Sequence, residues 1–132
     1  MQLQKIIAGQ ERQPNCDLTL GLELKEAKDG KSLCIWKADE QLLNGNQVIM
    51  GGFITSAADI AMAYAILSLL KDTQSFSSIS INSTFHRPAF VGEITVTAKI
   101  KKFGRKVAYA DATLSQNNKV IADVTSSIMI HD

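Results

Sequence analysis

The stretch that decides the fold of this 132-residue chain is Met50-Gly-Gly-Phe-Ile-Thr-Ser-Ala-Ala-Asp-Ile-Ala-Met-Ala-Tyr-Ala-Ile-Leu-Ser-Leu-Leu70. Asp59 is the only charged residue in it. A run of this length without strand-like alternation predicts a long helix over residues 52–70, apolar enough to be buried in a core. Because burying an unpaired carboxylate is costly, Asp59 should either be paired or take part in chemistry.

The glycine pair before the helix points to the same kind of chemistry. Gly51 and Gly52 have no side chains to shield the backbone N–H groups at the helix start, and such N–H groups attract negative charge. The helix start and Asp59 together suggest a site that polarises a carbonyl group and attacks it.

A membrane span is the alternative reading of so long an apolar run. Asp59 lies in its interior, hydroxyl side chains such as Thr55 and Ser56 interrupt it, and no lysine or arginine flanks its N-terminal end. We therefore predict a core helix and no membrane partner.

Composition narrows the possible functions. With 45% hydrophobic residues, the chain is large enough for one domain with its own core, over residues 1–132. A net charge of +1 gives no electrostatic basis for binding nucleic acid. Cys16 and Cys34 read as free thiols of a cytoplasmic protein, since the N-terminus has no secretory signal pattern. His86 and His131 are too far apart in sequence to suggest a metal site.

Period-two alternation predicts strands on both sides of the helix. A short amphipathic helix is predicted over residues 2–12. Leucines at every second position from Leu18 to Leu24 then indicate a strand, and Asp29-Gly30 indicates a hairpin into a second strand at 32–38. Beyond the helix the predicted strands are 78–85, 94–101, 107–115 and 120–130.

This order of elements predicts an α+β fold. Short turns connect the later strands, so we expect a meander. A helix that is apolar on most sides needs a cover, which a curved antiparallel sheet wrapped around it provides. The free edges of such a sheet favour pairing with another subunit.

The motifs also resemble those of a known family. Asn44, then Gly51-Gly52, then Asp59 stand at separations similar to those of hotdog-fold acyl-CoA thioesterases of the phenylacetyl-CoA and 4-hydroxybenzoyl-CoA thioesterase type. The resemblance covers roughly residues 15–130, and its further segments are Ser78-Ile-Ser-Ile-Asn82, Phe85-His-Arg-Pro-Ala89, Gly92-Glu-Ile and Lys102-Phe-Gly-Arg105.

This resemblance implies hydrolysis of acyl-CoA thioesters. Asp59 would act as nucleophile or general base, while the N–H groups of Gly51 and Gly52 would polarise the thioester oxygen. Asn44 would orient water or the thioester, and Ser78 would hold the attacking water. In the family each site is shared by two subunits, so a homodimer or homotetramer is expected, with no cofactor apart from the CoA of the substrate.

The substrate-binding residues are expected in two places. Arg105 and Lys106, in a basic β-turn cluster with Lys101 and Lys102, would meet the phosphates of CoA, and Arg87 is a similar candidate. The acyl pocket is predicted to involve Met50, Phe53, Trp36 and Tyr64.

Met50 departs from the family pattern, which often has a histidine before Gly-Gly. A thioether is a weak hydrogen-bond acceptor, so a neighbour such as Asn46 or Gln47 would have to take any role of that histidine. We do not expect His86 to belong to a catalytic dyad. The competing hypotheses are a non-catalytic acyl-CoA-binding domain, a hydratase or dehydratase, and a structural dimer.

Overall fold

A computed structural model describes residues 2–132 of the chain. Within these residues the fold has three α-helices, a short 3-10 helix at Glu40–Leu42 and six strands. The helices are α1 (Leu3–Ile7), α2 (Asn15–Leu20) and α3 (Gly51–Leu67). The strands are β1 (Leu22–Lys28), β2 (Lys31–Ala38), β3 (Ser75–Phe85), β4 (Gly92–Phe103), β5 (Val107–Gln116) and β6 (Lys119–His131).

The six strands form one antiparallel sheet in the order β1-β2-β4-β5-β6-β3. The predicted meander is present in β4, β5 and β6. The position of β3 differs from that prediction, because β3 pairs with β6 at the far edge although β4 follows it in sequence. The chain therefore crosses from one side of the meander to the other between β3 and β4.

The predicted hairpin forms at Asp29-Gly30. Lys28 pairs with Lys31, which leaves a two-residue turn in which Asp29 and Gly30 have φ angles of 53° and 79°. Two successive positive φ angles match the twist of the flanking strands, which is why an Asp-Gly pair is favoured in such a turn.

The strand predicted to start at Leu18 was wrong, because residues 15–20 form helix α2. Pro14 precedes the helix, and Gly21 ends it with a φ of +88°. Position 21 requires glycine for two reasons. Its positive φ angle is unfavourable for other residues, and a Cβ atom there would lie 2.9 Å from the carbonyl oxygen of Lys37. The leucine alternation holds only from Leu22 onward.

Helix α3 is the centre of the core. Alanines and larger apolar residues on three sides of it are buried against the sheet, including Ala57, Ala61, Met62 and Ile66. The helix ends at Leu67, three residues earlier than predicted, and Ser68 follows as its C-cap. Small side chains let the helix axis approach the sheet closely, so the sheet can wrap around it.

Two side-chain hydrogen bonds join the sheet to the elements inside it. Ser32 Oγ donates to the carbonyl of Ala61 in α3 at 2.6 Å, and Trp36 Nε1 donates to the carbonyl of Leu20 at 3.0 Å. Trp36 is fully buried in the core, which corrects its prediction as a residue of the acyl pocket.

Strand β3 is an edge strand with one unpaired side. Most of its residues are exposed, and Ile79 keeps 54% of its surface accessible. A long edge strand with apolar side chains in solvent is a surface that another strand can pair with. No helix within residues 2–132 is long and apolar enough to cross a membrane.

Candidate active site

Asp59 lies on the side of α3 that the sheet does not cover. It is half-buried and opens into a groove of about 390 Å³, here called the Asp59 groove. The residues that line it are Pro14, Cys16, Asp17, Asp59, Ile60, Ala63, Tyr64, Leu67, Phe76 and Ser78. The lining is mainly apolar, as a pocket for an acyl chain would be.

Burial changes the acidity of Asp59. Desolvation raises the pKa of its carboxyl group above the ordinary value of 3.8, while the hydroxyl of Ser78 opposes that rise. A raised pKa favours the function of a general base, because the carboxylate then binds a proton more strongly. Ser78 thus acts on Asp59 from strand β3, a contact that sequence analysis did not predict.

An irregularity in β3 sets the position of Ser78. The register of β3 against β6 shifts between Ser78 and Ser80, which leaves Ile79 as the extra residue of a bulge. A bulge of this kind redirects the side chains next to it and is common beside active sites. Sequence alternation did not predict the bulge, and it explains why Ile79 points into solvent.

A second groove, of about 570 Å³, meets the other side of Asp59. Phe53, Cys16 and Leu42 are among the residues that line it. Phe53 was predicted to line the acyl pocket, and the structure places it in this groove and not in the Asp59 groove.

The start of α3 carries free hydrogen-bond donors. The N–H groups of Gly51 and Gly52 donate to no acceptor within the described residues 2–132, and Met50 caps the helix with no side-chain hydrogen bond. Free N–H groups at a helix start and the helix dipole both favour a developing negative charge. Met50 itself is exposed beside Gly52.

The helix start opens into a depression of about 360 Å³, here called the Gly51 depression. Its lining is Asn44, Val48, Ile49, Gly51, Ile54, Phe85, His86, Arg87, Pro88 and Ala89. Asn44 and Arg87 were both predicted as site residues, and both lie here. Phe85 touches the helix start so closely that a Cβ on Gly51 would lie 2.9 Å from its Cζ atom.

Asn44 has a structural role as well. Its Oδ1 accepts hydrogen bonds from the backbone N–H groups of Asn46 at 2.9 Å and Val48 at 3.4 Å, which shapes the loop before α3. Its amide Nδ2 donates no side-chain hydrogen bond in the part of the chain described, so that donor is available to a ligand.

His86 gains a partner that sequence did not reveal. Its Nε2 atom lies 2.9 Å from Asp123 Oδ2 on β6, and Thr113 Oγ1 donates to Asp123 Oδ1 at 3.1 Å. The imidazole therefore faces the sheet surface at the rim of the Gly51 depression, a position that only the β3–β6 pairing could indicate.

The two clusters do not meet within one chain. Gly51 and Asp59 are eight residues apart on one helix, which is about 12 Å along its axis. Both clusters do contact β3, since Ser78 lines the Asp59 groove and Phe85 covers the helix start. Between them, Thr55 Oγ1 and Ser83 Oγ share a hydrogen bond of 2.6 Å.

Arg105 and Lys106 lie at the end of the sheet away from the Gly51 depression. They occupy the turn between β4 and β5, and the carbonyl of Lys106 accepts a hydrogen bond from Ile130 near the end of β6. Ile130 in turn pairs with Phe76, at the Asp59 end of β3. Within a single chain these basic residues are thus separate from Arg87.

A buried polar network is a feature that sequence reasoning missed. Asp17, at 2% exposure, accepts hydrogen bonds from Tyr64 and Gln13 beside the Asp59 groove. Burial and the neighbouring Asp17 raise the pKa of Tyr64. The prediction of a strand from Leu18 onward hid this network, because it did not place Asp17 on a helix that packs against α3.

Within residues 2–132, no three His, Cys, Asp or Glu side chains cluster as metal ligands would.

A curved antiparallel sheet wrapped around one central helix defines the chain as a hotdog-fold protein. Comparison with known proteins gives the family. The sequence profile of the thioesterase superfamily matches residues 46–122. The chain belongs to the thioesterase superfamily and is a thioester hydrolase, which confirms the predicted family and fold.

Individual relatives agree with this assignment. Acyl-coenzyme A thioesterase PaaI of Escherichia coli (strain K12) is 30% identical over 111 residues, covering 81% of this chain and 76% of the relative. Acyl-coenzyme A thioesterase 13 of Mus musculus is 31% identical over 102 residues, covering 75% and 72%. The crystal structure of a phenylacetic acid degradation-related protein from Ralstonia eutropha JMP134 superposes with a TM-score of 0.89 at 28% identity, covering 96% of this chain and 98% of that one.

Proposed function

We propose that the protein hydrolyses acyl-CoA thioesters to the free acid and CoA. The observation that carries the proposal is the presence of two kinds of reactive group on one helix, namely the free N–H donors of Gly51 and Gly52 and the half-buried carboxyl group of Asp59. Relatives named as acyl-coenzyme A thioesterases, from E. coli and mouse, support CoA as the thiol part of the substrate.

Two subunits form each site in this proposal. A second copy can pair antiparallel with the free edge of β3, as an isologous dimer requires. If the two-fold axis falls between Ile81 and Asn82, Ser78 of one copy lies opposite Phe85 of the other. Asp59 of one subunit then faces the Gly51 depression of its partner, and the dimer has two equivalent sites. Pairs of such dimers would make the tetramer that is the other expected assembly.

The helix start stabilises the charge that forms on the thioester oxygen. As the carbonyl carbon becomes tetrahedral, its oxygen gains negative charge, and the N–H groups of Gly51 and Gly52 donate to it. A preorganised donor of this kind contributes about 3 kcal/mol in the transition state. The helix dipole adds to the same effect.

Asp59 drives the attack on the carbonyl carbon by one of two routes. As nucleophile it forms an anhydride with the acyl group, and water then hydrolyses that anhydride. As general base it takes a proton from water, whose oxygen attacks the carbonyl carbon directly. In both routes the carbon–sulfur bond breaks and CoA leaves as the thiolate. Ser78 holds the attacking water, and the free amide donor of Asn44 orients the thioester.

The CoA moiety extends from the Gly51 depression over its rim. Arg87 lies in that depression, with its Nη1 donating to the carbonyl of Val120 at 2.7 Å and the rest of its guanidinium exposed. A guanidinium suits the planar geometry of phosphate oxygens. In the dimer described above, Arg105 and Lys106 of the partner approach this region from the other side.

Assay of thiol release tests the function directly. Acyl-CoA esters with aromatic, short and medium acyl groups are given to the wild type and to Asp59→Asn, which keeps the size of the side chain. We expect turnover by the wild type and a loss of at least about 100-fold in kcat for Asp59→Asn. Equal turnover by the two proteins would exclude Asp59 from the mechanism.

Binding separates the enzyme from its main alternative. A non-catalytic acyl-CoA-binding domain would bind the same esters, measured by calorimetry, without releasing thiol from any of them. Met50, at the position where the family often has a histidine, is the feature of this chain that such an alternative would explain.

Variants of the basic residues test the location of CoA. Arg87→Ala and Arg105→Ala should each raise KM for a CoA ester and leave the KM for the matching N-acetylcysteamine ester unchanged, because that ester has no phosphates. Lys28→Ala, in the β1–β2 hairpin, is the control. An equal effect on both esters would argue against contact with phosphate.

The proposed compartment is the cytoplasm. Cys16 is exposed and Cys34 buried, and neither is in a disulfide, which suits a reducing environment.

A further inference from the structure

Another depression adjoins the Gly51 depression and has no part in the chemistry described above. Its volume is about 280 Å³, and it is here called the Phe90 depression. Its lining is Arg87, Pro88, Phe90, Gln116, Asn117, Lys119 and Ile121. Arg87 and Pro88 line both depressions, so a long ligand that leaves the helix start along Arg87 enters the Phe90 depression next.

Phe90 is an exposed aromatic residue on a fixed backbone. It keeps 52% of its surface accessible, although it is a large apolar residue. Gln116 Oε1 accepts from the N–H of Phe90 at 2.9 Å, and Gln116 Nε2 donates to the carbonyl of Phe90 at 2.7 Å. Both polar groups of the Phe90 backbone are therefore held by one side chain, and the ring offers an apolar surface at a defined place.

Two cationic side chains line the same depression without a carboxylate partner. Arg87 and Lys119 are in none of the three ion pairs found in the described part of the chain. Lys119 follows a tight turn in which Asn117 and Asn118 have φ angles of 53° and 63°. Such a two-residue turn holds the flanking strands in one register, so the backbone that carries Lys119 is fixed.

Backbone hydrogen bonds fix the two depressions relative to each other. The N–H of Ile49, just before α3, donates to the carbonyl of Ala89 at 2.8 Å, and the N–H of Arg87 donates to the carbonyl of Ile121 at 3.2 Å. The helix start, the segment that carries Phe90 and strand β6 are thus joined. A site that is already ordered loses less entropy when it binds a flexible ligand.

The combination of an aromatic ring with two free cations limits the kind of ligand. A purine base stacks on an aromatic side chain, and phosphate oxygens accept hydrogen bonds from guanidinium and ammonium groups. An acyl chain would not use the cations, and inorganic phosphate would not use the ring. A nucleotide with more than one phosphate uses all three groups.

We propose that the Phe90 depression binds the nucleotide end of CoA, with the adenine against Phe90, the ribose phosphate on Lys119 and the diphosphate on Arg87. This inference rests on the proposed function, since it takes a CoA ester as the ligand. It adds that the protein recognises the base and the ribose phosphate. The preferred substrate is therefore a free acyl-CoA and not an acyl group on the phosphopantetheine of a carrier protein, which has neither feature.

Calorimetry with CoA, dephospho-CoA and phosphopantetheine tests these contacts separately. Dephospho-CoA lacks only the ribose phosphate, and phosphopantetheine lacks the whole adenosine unit. We expect the wild type to bind CoA about 3- to 10-fold more tightly than dephospho-CoA, as a solvent-exposed charge contact allows. Dephospho-CoA should in turn bind about 5- to 20-fold more tightly than phosphopantetheine, because it can stack on the ring.

Two variants should divide these effects between them. Lys119→Ala should make the Kd of CoA equal to that of dephospho-CoA, while Lys119→Arg keeps the difference. Phe90→Ala should weaken CoA and dephospho-CoA by the same factor, about 5- to 20-fold, while Phe90→Trp keeps both affinities. The matched controls are Lys28→Ala in the β1–β2 hairpin and Tyr109→Ala on β5, which change exposed residues outside the depression and should alter no Kd.

The β4–β5 turn is the competing location for the ribose phosphate, because Arg105 and Lys106 are basic as well. A preference for CoA over dephospho-CoA that disappears in Arg105→Ala and persists in Lys119→Ala would overturn the proposal. So would a wild type that binds all three ligands equally or none of them, or a Phe90→Ala variant with unchanged affinity for CoA. Thermal unfolding verifies that each variant is folded.

Failure of this proposal and failure of the proposed function give different results. The Kd values require no hydrolysis, so a preference for the complete nucleotide without thiol release from any ester would support the Phe90 depression and reject the proposed catalysis. Thiol release with equal kcat/KM from the CoA, dephospho-CoA and phosphopantetheine forms of one ester would do the reverse.

Discussion

Mixing two inactive variants gives the sharpest test of a site shared between subunits. Asp59→Asn removes the carboxylate, and Gly51→Ala disturbs the helix start. In a dimer with shared sites, each variant damages a different half of every site. A mixed dimer then has one site with both halves intact and one site with both halves damaged.

The structure indicates how Gly51→Ala acts. The new Cβ would lie 2.9 Å from Phe85 Cζ and 3.3 Å from its Cε2 atom, so the ring must move by a few tenths of an ångström or more. Phe85 is 50% exposed and can move without unfolding the protein, so we expect the free energy of unfolding to change by less than about 1 kcal/mol. The ring lines the Gly51 depression, and misplacing a substrate by about 1 Å lowers kcat by about 100-fold.

The expected recovery follows from counting dimers. Random exchange of equal amounts of the two variants makes about half of all dimers mixed, and each mixed dimer has one intact site out of two. About a quarter of wild-type thiol release should return after unfolding and refolding the two proteins together. Each variant refolded alone is the control and should stay near 1%.

A site contained in one chain would give a different result. No mixture would then recover activity, because no chain in it has both Asp59 and Gly51. Gly52→Ala provides a comparison, because its Cβ would meet only the flexible end of Met50, with Cε at 3.2 Å, and should reduce kcat less than Gly51→Ala does.

Three further predictions concern pH, association and stability. Burial raises the pKa of Asp59, and the proposed mechanism uses its carboxylate, so kcat/KM should fall as pH decreases, with a midpoint above 3.8. Ser78→Ala should move that midpoint higher, because the Ser78 hydrogen bond lowers the pKa of Asp59, and an unmoved midpoint would show that Ser78 does not act on this carboxyl group. Ile79→Lys should weaken dimers in light-scattering measurements, whereas Tyr109→Lys, which changes an exposed residue on β5, should not. Dimers that Ile79→Lys leaves unchanged would argue against pairing through β3. Trp36→Phe should lower the free energy of unfolding, measured by urea denaturation, by about 1–3 kcal/mol, because it leaves the buried carbonyl of Leu20 without its donor. Tyr109→Phe, at an exposed residue, should change that free energy little.

Much of the fold follows from local patterns in the sequence. The alternation in residues 94–101 and 107–115, the Asp29-Gly30 turn and the apolar run of α3 each depend on a few adjacent residues, and each prediction was confirmed. The leucine spacing gave a wrong prediction at Leu18. Pro14 and Gly21 bound a helix there, and only two of the alternating leucines, Leu18 and Leu20, lie inside that helix.

The candidate site was less predictable because it depends on contacts between distant segments. Asp59 and the glycine pair were visible as unusual residues in an apolar run. Asp17 was not, since its burial arises only when α2 packs against Tyr64, 47 residues later in the chain. The crossing of β3 to the far edge was also hidden, because short turns alone do not state which strands pair.

The position of the single charge on α3 follows from how the sheet covers the helix. Ala57, Ala58 and Ala61 face the sheet and have no exposed surface, so a charge at any of them would be buried without compensation. Asp59 lies on the one stripe that the sheet leaves open, and Ser78 approaches it there from the bulge in β3. The same strand reaches the helix start through Phe85, so pairing of two β3 edges would cover the open stripe and complete the site in one step. The sheet that buries most of α3 therefore also restricts its carboxylate to the open stripe, which is the surface that a partner subunit can reach.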